Sequence, residues 1–112
     1  MGTRCLTVFK ENINGPEIAV LYRQYDGYPA EHGRQLQEAC AEVDHNGIGC
    51  AAVSILARLV SALGGQENEC GNFYLEPAGS RDLGEEFIYT VYPKKGEPNG
   101  IAVDIHDCAS DF

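Results

Sequence analysis

The run with the strongest strand propensity in this chain is Phe87-Ile88-Tyr89-Thr90-Val91-Tyr92. Aromatic and β-branched side chains favour an extended backbone, and Pro93 ends the run because proline cannot donate to a strand ladder. After a turn at 94–100, apolar and polar residues alternate from Ile101 to His106. Such alternation predicts a strand with one buried face. The side chains predicted to point into the core are Ile101, Val103 and Ile105.

The N-terminal part of the chain predicts a β-hairpin. One β-rich run ends at Lys10, and a second apolar run extends from Ile18 to Tyr22. Between them lies Asn12-Ile13-Asn14-Gly15-Pro16, where Asn and Gly accept positive φ and Pro cannot continue a paired strand. A further short strand is expected at Asn72-Phe73-Tyr74-Leu75.

Two helices are predicted in the middle of the chain. Pro29 suits the first turn of the first helix, which ends near Asp44. Its apolar stripe consists of Leu36, Ala39, Cys40 and Val43, spaced as an amphipathic helix requires. The second helix, Cys50 to Leu63, is apolar almost all round and is stopped by Gly64-Gly65, so we expect it to be deeply buried.

These elements predict one α+β domain spanning residues 1–112, with the order ββααβββ. A chain of 112 residues is long enough for one core and too short for two ordinary domains. The arrangement expected from this order is a five-stranded antiparallel sheet with both helices on one face.

Composition narrows the classes of partner. The formal net charge is −9, from 17 acidic and 8 basic residues, so duplex nucleic acid is not an expected partner. The longest apolar stretch, Ile48 to Leu63, is interrupted by Ser54, Arg58 and Ser61, so no membrane association is expected. Acidity of this size favours solubility, or an acidic face complementary to a basic protein surface.

The cysteines indicate a reducing compartment. Their odd number, their irregular spacing and the absence of a CxxC pair argue against a disulfide framework, a zinc site or a redox motif. The N-terminal residues lead directly into a strand pattern, so we expect no secretory signal and a cytoplasmic location. No metal or other cofactor is expected. The cysteines are Cys5, Cys40, Cys50, Cys70 and Cys108.

One candidate ligand site is the loop from Tyr22 to Pro29. Its three tyrosines cannot all be buried in a turn, and an arginine beside tyrosines combines a bidentate donor with a stacking surface, as nucleobase and phosphate recognition requires. The alternative is a rigid loop that sets the direction of the first helix. The residues predicted to bind a ligand here are Arg23, Tyr25, Asp26, Gly27 and Tyr28.

A second candidate is the glycine-rich start of the second helix. Unpaired backbone N–H groups at a helix start favour an anion, and glycines allow its close approach. The alternative is a tight helix–helix turn in which Gly47 supplies positive φ. The residues predicted to meet a phosphate are Asn46, Gly47, Gly49 and Cys50.

Cys50 also permits an enzymatic interpretation. A helix start lowers a thiol pKa, and His45 or His32 would be the base of a cysteine hydrolase. No local signature of a cysteine enzyme surrounds Cys50, so a buried thiol is the favoured alternative. No catalytic residue is assigned from the sequence.

The chain resembles a group of small uncharacterised proteins of phages, prophages and actinobacterial genomes. The resemblance runs from Met1 to about Tyr92 and is carried by MGTRCLTVF, YRQYDGYPAEHGRQL, NGIGCAA, GNFYLEP and DLGEEFIYTVY. It implies a phage-related gene context and, by analogy with small phage accessory proteins, a counter-defence role in the host cytoplasm.

Three functions follow as hypotheses. The first is a non-enzymatic protein that sequesters a phosphorylated or nucleotide-like small molecule, with exposed sheet edges making a homo-oligomer. The second is an acidic inhibitor that blocks a host protein through its surface. The third is a cysteine-dependent enzyme that uses Cys50.

Overall fold

The computed structural model describes residues 3–43, 52–66 and 73–108. A π-helical turn, Pro29–Gly33, leads into the first helix, and a 3₁₀ turn, Pro98–Gly100, leads into the last strand. The strands and helices are β1 Cys5–Lys10, β2 Glu17–Arg23, α1 Arg34–Val43, α2 Ala52–Gln66, β3 Phe73–Glu76, β4 Phe87–Pro93 and β5 Ile101–Asp107. None of these helices, within the described part of the chain, is long and apolar enough to cross a membrane.

The five strands form one mixed sheet in the order β3-β2-β1-β4-β5. Strands β1 and β4 are parallel, with Cys5 opposite Phe87 and Phe9 opposite Val91, and the other neighbouring pairs are antiparallel. The prediction of a purely antiparallel sheet is therefore wrong for the central pair. The connection at 77–86 carries the chain past β2 and β1, so β4 joins the far side of β1 in the same direction.

Strand β1 occupies the centre because both of its faces are apolar. Cys5 and Phe9 point to the helix side, Leu6 and Val8 point to the opposite side, and all of them are buried. A strand that is apolar on both faces is stable only where both faces are covered. The N-terminal hairpin is confirmed, with β1 paired to β2 across the turn.

The main core lies between the sheet and the helices. The predicted stripe of α1 is confirmed, because Leu36, Ala39, Cys40 and Val43 are all buried. From α2, Ile55, Leu59 and Leu63 complete this core against residues of the sheet. Both helices therefore pack on one face.

The opposite face of the sheet has a smaller core of its own. Leu6, Val8 and Val20 are buried there, with Leu83 of the β3–β4 connection packed over them. The connection is tied to the sheet by Arg81, whose Nη2 donates to Glu17 Oε2 at 2.7 Å. A segment without regular structure thus does the covering that a helix usually does in a parallel crossover.

Strand β5 is only partly buried. Ile101 lies in the core, and Asp104 faces solvent as predicted. Ile105 departs from the prediction, because 53% of its surface is exposed. The strand lies at the edge of the sheet, where α1 covers its first half and leaves its second half open.

Candidate functional site

The structure places Arg23 inside the protein. It is the last residue of β2, its side chain points toward the helices, and only 1% of its surface is exposed. Its Nε–H donates to the carbonyl oxygen of Tyr25 at 2.6 Å, and Nη1 donates to Oε1 of Gln35 at 2.6 Å. The guanidinium carbon lies 4.9 Å from the centre of the Phe73 ring, a cation–π distance.

The buried His32 is the next member of this cluster. Its Nδ1 accepts a hydrogen bond from Nη1 of Arg23 at 3.1 Å, which requires a neutral imidazole protonated at Nε2. That Nε2–H then donates to Oγ1 of Thr7 at 2.7 Å. Burial lowers the pKa of His32 to about 3, and the positive charge of Arg23 acts in the same direction. The imidazole is therefore uncharged across the neutral range.

The cluster of Thr7, Arg23, His32 and Gln35 joins β1, β2 and α1 from within. Thr7 and His32 are fully buried, and the nearby Cys5 thiol has its pKa raised to about 12 by burial, against the opposing effect of Arg23. A guanidinium enclosed in this way holds three elements of the fold together. The assignment of Arg23 to ligand binding stays a prediction.

The rest of the loop from Tyr22 to Pro29, the tyrosine loop, lies mostly at the surface. Tyr25 and Tyr28 are exposed, and Asp26 has a positive φ of 62°. Gly27 is buried instead, since its N–H donates to Thr3 O at 2.8 Å and its carbonyl accepts from the Tyr89 hydroxyl at 2.7 Å. The loop is therefore a fixed turn that presents two tyrosine rings.

The second group of predicted site residues lies outside the described part of the chain. This group is Asn46, Gly47, Gly49 and Cys50. Their convergence with the tyrosine loop on one ligand stays a prediction.

Strand β5 forms one edge of the sheet, and β3 forms the other. In the antiparallel ladder with β4, Lys94 N–H donates to Gly100 O and Cys108 N–H donates to Glu86 O, each at 2.9 Å. Hydrogen-bonded positions alternate along such a ladder, so the N–H and C=O groups of residues 102, 104 and 106 point toward β4. The corresponding groups of Val103 and Ile105 point away from the sheet, and no described strand pairs with them.

A groove runs along this edge between β5 and α1. It consists of two adjoining depressions of about 300 and 210 Å³, which share Gln37 and Val103. We call it the β5 groove. Its walls are formed mainly by Pro29, Ala30, Gly33, Gln37, Val103 and Ile105. The side chains of an added strand would alternate between this groove and the opposite face of the sheet.

The charge around the β5 groove is negative. Arg34 lies on its wall, but the guanidinium is paired with Glu31 at 3.2 Å and Glu38 at 2.9 Å. At the other end Glu97 lies on the wall, with Lys94 3.6 Å from its carboxylate. The chain as a whole carries −9. The two cations and three carboxylates named here therefore sum to a net charge of −1, beside the apolar side chains of the walls.

Sequence reasoning missed the β5 groove because it placed Ile105 in the core. The alternation of β5 correctly marks which side chains share a face, but it does not say how far α1 extends over that face. The polar side chains of Asp104 and His106 on its outer face were the available signal, because charged side chains are common on edge strands.

No protein-family model, no curated protein and no solved structure matches this chain.

Proposed function

We propose that this protein is a non-enzymatic interaction protein that binds an extended, basic segment of a partner protein along β5. The observation that carries the proposal is the combination of the β5 groove with a strand edge that no other described strand covers. Strand addition to such an edge is a recurrent mode of peptide recognition, in which backbone hydrogen bonds supply affinity and alternate side chains supply specificity.

The backbone of β5 suits this role. The outward N–H and C=O groups of Val103 and Ile105 offer two donors and two acceptors to an incoming strand. The exposed Ile105 side chain and the wall at Pro29 and Ala30 would bury every second side chain of that strand. Burial of this apolar area contributes about 25 cal/mol per Å² to binding before the cost of association is subtracted.

The charge of the chain favours a basic partner over a second copy. Two antiparallel copies of β5 paired about Asp104 would bring the Asp104 side chains of the two chains together, and each chain carries −9. Like charges placed opposite each other across strands are destabilising. Lysine or arginine residues alternating with apolar ones would instead point to the exposed face that carries Asp104, while the apolar residues enter the β5 groove.

A peptide titration tests this proposal. The probe is a fluorescent eight-residue peptide in which valine and lysine alternate, with a matched peptide of valine and glutamate as control. We expect the lysine peptide to bind and the glutamate peptide not to bind, and we expect affinity to fall as salt is added. Fluorescence anisotropy provides the measurement.

Ile105→Pro provides the decisive variant. Proline at this position removes an outward N–H and leaves the ladder to β4 intact, so the fold is expected to persist. Binding should weaken by more than about tenfold, whereas Ile105→Val should bind like the unmodified protein. Equal binding by the proline variant would overturn the proposal. So would a homodimer that dissociates in that variant, because the edge would then belong to a second copy.

A further inference from the structure

A separate depression lies on the other face of the sheet, at the edge formed by β2 and β3. It has a volume of about 330 Å³ and we call it the tyrosine pocket. Its walls are formed by Tyr22, Gln24, Tyr74, Glu76 and Leu83. The first two belong to the segment in which the sequence placed a ligand site, but they point to the face opposite Arg23.

Two aromatic rings form one side of the tyrosine pocket. Tyr22 and Tyr74 are direct cross-strand partners, with ring centres 5.9 Å apart and ring planes tilted by 41°. The tilt keeps the rings from stacking flat on each other, and 45% of the Tyr74 surface is exposed. The faces of aromatic rings carry negative electrostatic potential, which attracts cations.

The tyrosine pocket carries one carboxylate among neutral polar side chains. The Tyr22 hydroxyl donates to Oε1 of Gln24 at 3.4 Å, and the Glu76 carboxylate completes the wall. The ion pairs among described residues engage Glu17, Glu31, Glu38 and Glu97, and none of them engages Glu76. No lysine or arginine lines the pocket, so an anion would meet a carboxylate with no opposing charge.

The floor of the tyrosine pocket is apolar and packed against a buried cluster. Leu83 and Tyr22 pack against the small core of Leu6, Val8 and Val20, whose side chains are at most 1% exposed. A wall of this kind suits the methylene stem of a long cationic side chain, while the charged end reaches the carboxylate.

We propose that the tyrosine pocket binds an organic cation, an alkyl guanidinium or ammonium group, between the two tyrosine rings and the Glu76 carboxylate. The cation–π attraction and the ion pair act on the same charged end of the ligand. This site lies on the other face and at the other edge of the sheet from the β5 groove, and it does not depend on the function proposed there.

The test uses a pair of probes that differ in charge and match in shape. N-acetyl-arginine amide carries the guanidinium, and N-acetyl-citrulline amide replaces it with a neutral urea of nearly the same shape. We expect the arginine derivative to shift the NMR signals of Tyr22 and Tyr74 at millimolar concentration and to bind at least about tenfold more tightly than the citrulline derivative. No shift, or equal binding of the two, would overturn the proposal.

Variants separate the contribution of the Glu76 carboxylate from that of the Tyr74 ring. Glu76→Gln keeps the shape of the pocket and should weaken binding of the arginine derivative by about tenfold, as should loss of a ring face in Tyr74→Leu. Glu42→Gln makes the same charge change on α1, over the other face of the sheet, and should change binding less than about twofold. Because Tyr74 and Glu76 are not buried, both variants should fold, which thermal unfolding checks. Equal weakening by Glu76→Gln and Glu42→Gln would overturn the proposal.

The same titration distinguishes two sources of the cation. An arginine-containing pentapeptide that binds at least about tenfold more tightly than the free derivative would support a partner side chain as the ligand. Similar affinity of peptide and free derivative would support a small-molecule cation. Both results support recognition of the guanidinium.

Discussion

Nη1 of Arg23 lies 3.1 Å from Nδ1 of His32, in the interior of the protein. The hydrogen bond joins the end of β2 to the turn that begins α1, and it makes His32 an acceptor toward a permanent positive charge. An imidazole in this position is stable only in its neutral form. Protonation of His32 would therefore break this hydrogen bond and destabilise the fold.

Arg23→Ala is expected to lower the free energy of unfolding by about 3 kcal/mol or more. The change deprives His32 and Gln35 of a buried donor and leaves a space beside Phe73. Arg23→Met fills part of that space and should cost less. Arg58→Ala, an exposed position on α2, should stay within about 0.5 kcal/mol. Urea denaturation measures all three, and similar losses for Arg23→Ala and Arg58→Ala would contradict the internal role.

The stability of the protein should fall as the pH drops below neutral. Burial holds the pKa of His32 at about 3 in the folded state, against an ordinary value of 6.5. Between these values the unfolded chain binds one more proton, so the free energy of unfolding is highest above pH 6.5 and decreases toward pH 3. The expected slope is about 1.4 kcal/mol per pH unit.

Substitution isolates the contribution of His32. His32→Gln should remove this slope, and His106→Gln, at an exposed position of β5, should retain it. The comparison is most informative in the upper part of this pH range, where Glu17 does not contribute to the slope. Hydrogen bonding by Arg81 holds the pKa of Glu17 below its usual 4.5, so its carboxylate stays ionised there. Urea denaturation at several pH values above 4.5 provides the comparison. A slope that persists in His32→Gln would assign the effect to other groups.

The Glu17–Arg81 ion pair should stabilise the connection that covers the second face of the sheet. Besides the contact to Arg81, the Glu17 carboxylate accepts a hydrogen bond from Gly79 N–H at 2.9 Å. A double-mutant cycle with Glu17→Gln and Arg81→Gln is expected to give a coupling energy of about 1 kcal/mol. This stabilisation is present above pH 4.5 and is lost as the pH falls through the lowered pKa of Glu17.

The control for that cycle is the Arg34–Glu38 pair on α1. Both of its side chains are about half exposed, at 50% and 54%, against 35% and 26% for Arg81 and Glu17. Its coupling energy should be about 0.3 kcal/mol. Equal coupling in the two cycles would show that the connection is not specifically anchored by Glu17.

Two glycines of the same region should respond oppositely to alanine. A methyl group at Gly27 would lie 2.8 Å from Cβ of Cys5 and 2.8 Å from the Thr3 carbonyl oxygen, so Gly27→Ala should cost about 2 kcal/mol or more. At Gly33 the nearest atoms, from Pro29 and Tyr89, are 3.7 and 3.8 Å away. Gly33→Ala should therefore be neutral or stabilise by up to about 1 kcal/mol. Thermal unfolding of both variants checks this, and a stable Gly27→Ala would contradict the close approach.

The candidate site was predictable only in part, because the side chains of a strand alternate between faces. Tyr22, Arg23 and Gln24 follow each other in sequence, and their chemistry suggests one joint site. In the structure Arg23 enters the core under α1, while Tyr22 and Gln24 line the tyrosine pocket on the other face. A shift of one residue along a strand exchanges a buried position for an exposed one.

Local interactions determine those features of this protein that were correctly predicted from its amino acids. The turn at Asn12–Pro16, the stripe of α1 and the strand propensity of Phe87–Tyr92 depend on neighbours within a few residues. Strand pairing depends on contacts between distant segments. Only the path of residues 77–86 across the sheet places β4 parallel to β1, and only the limited reach of α1 leaves Ile105 exposed. Neither the direction of a strand nor the cover over an edge is encoded in local propensity, because both are set by which buried surfaces meet.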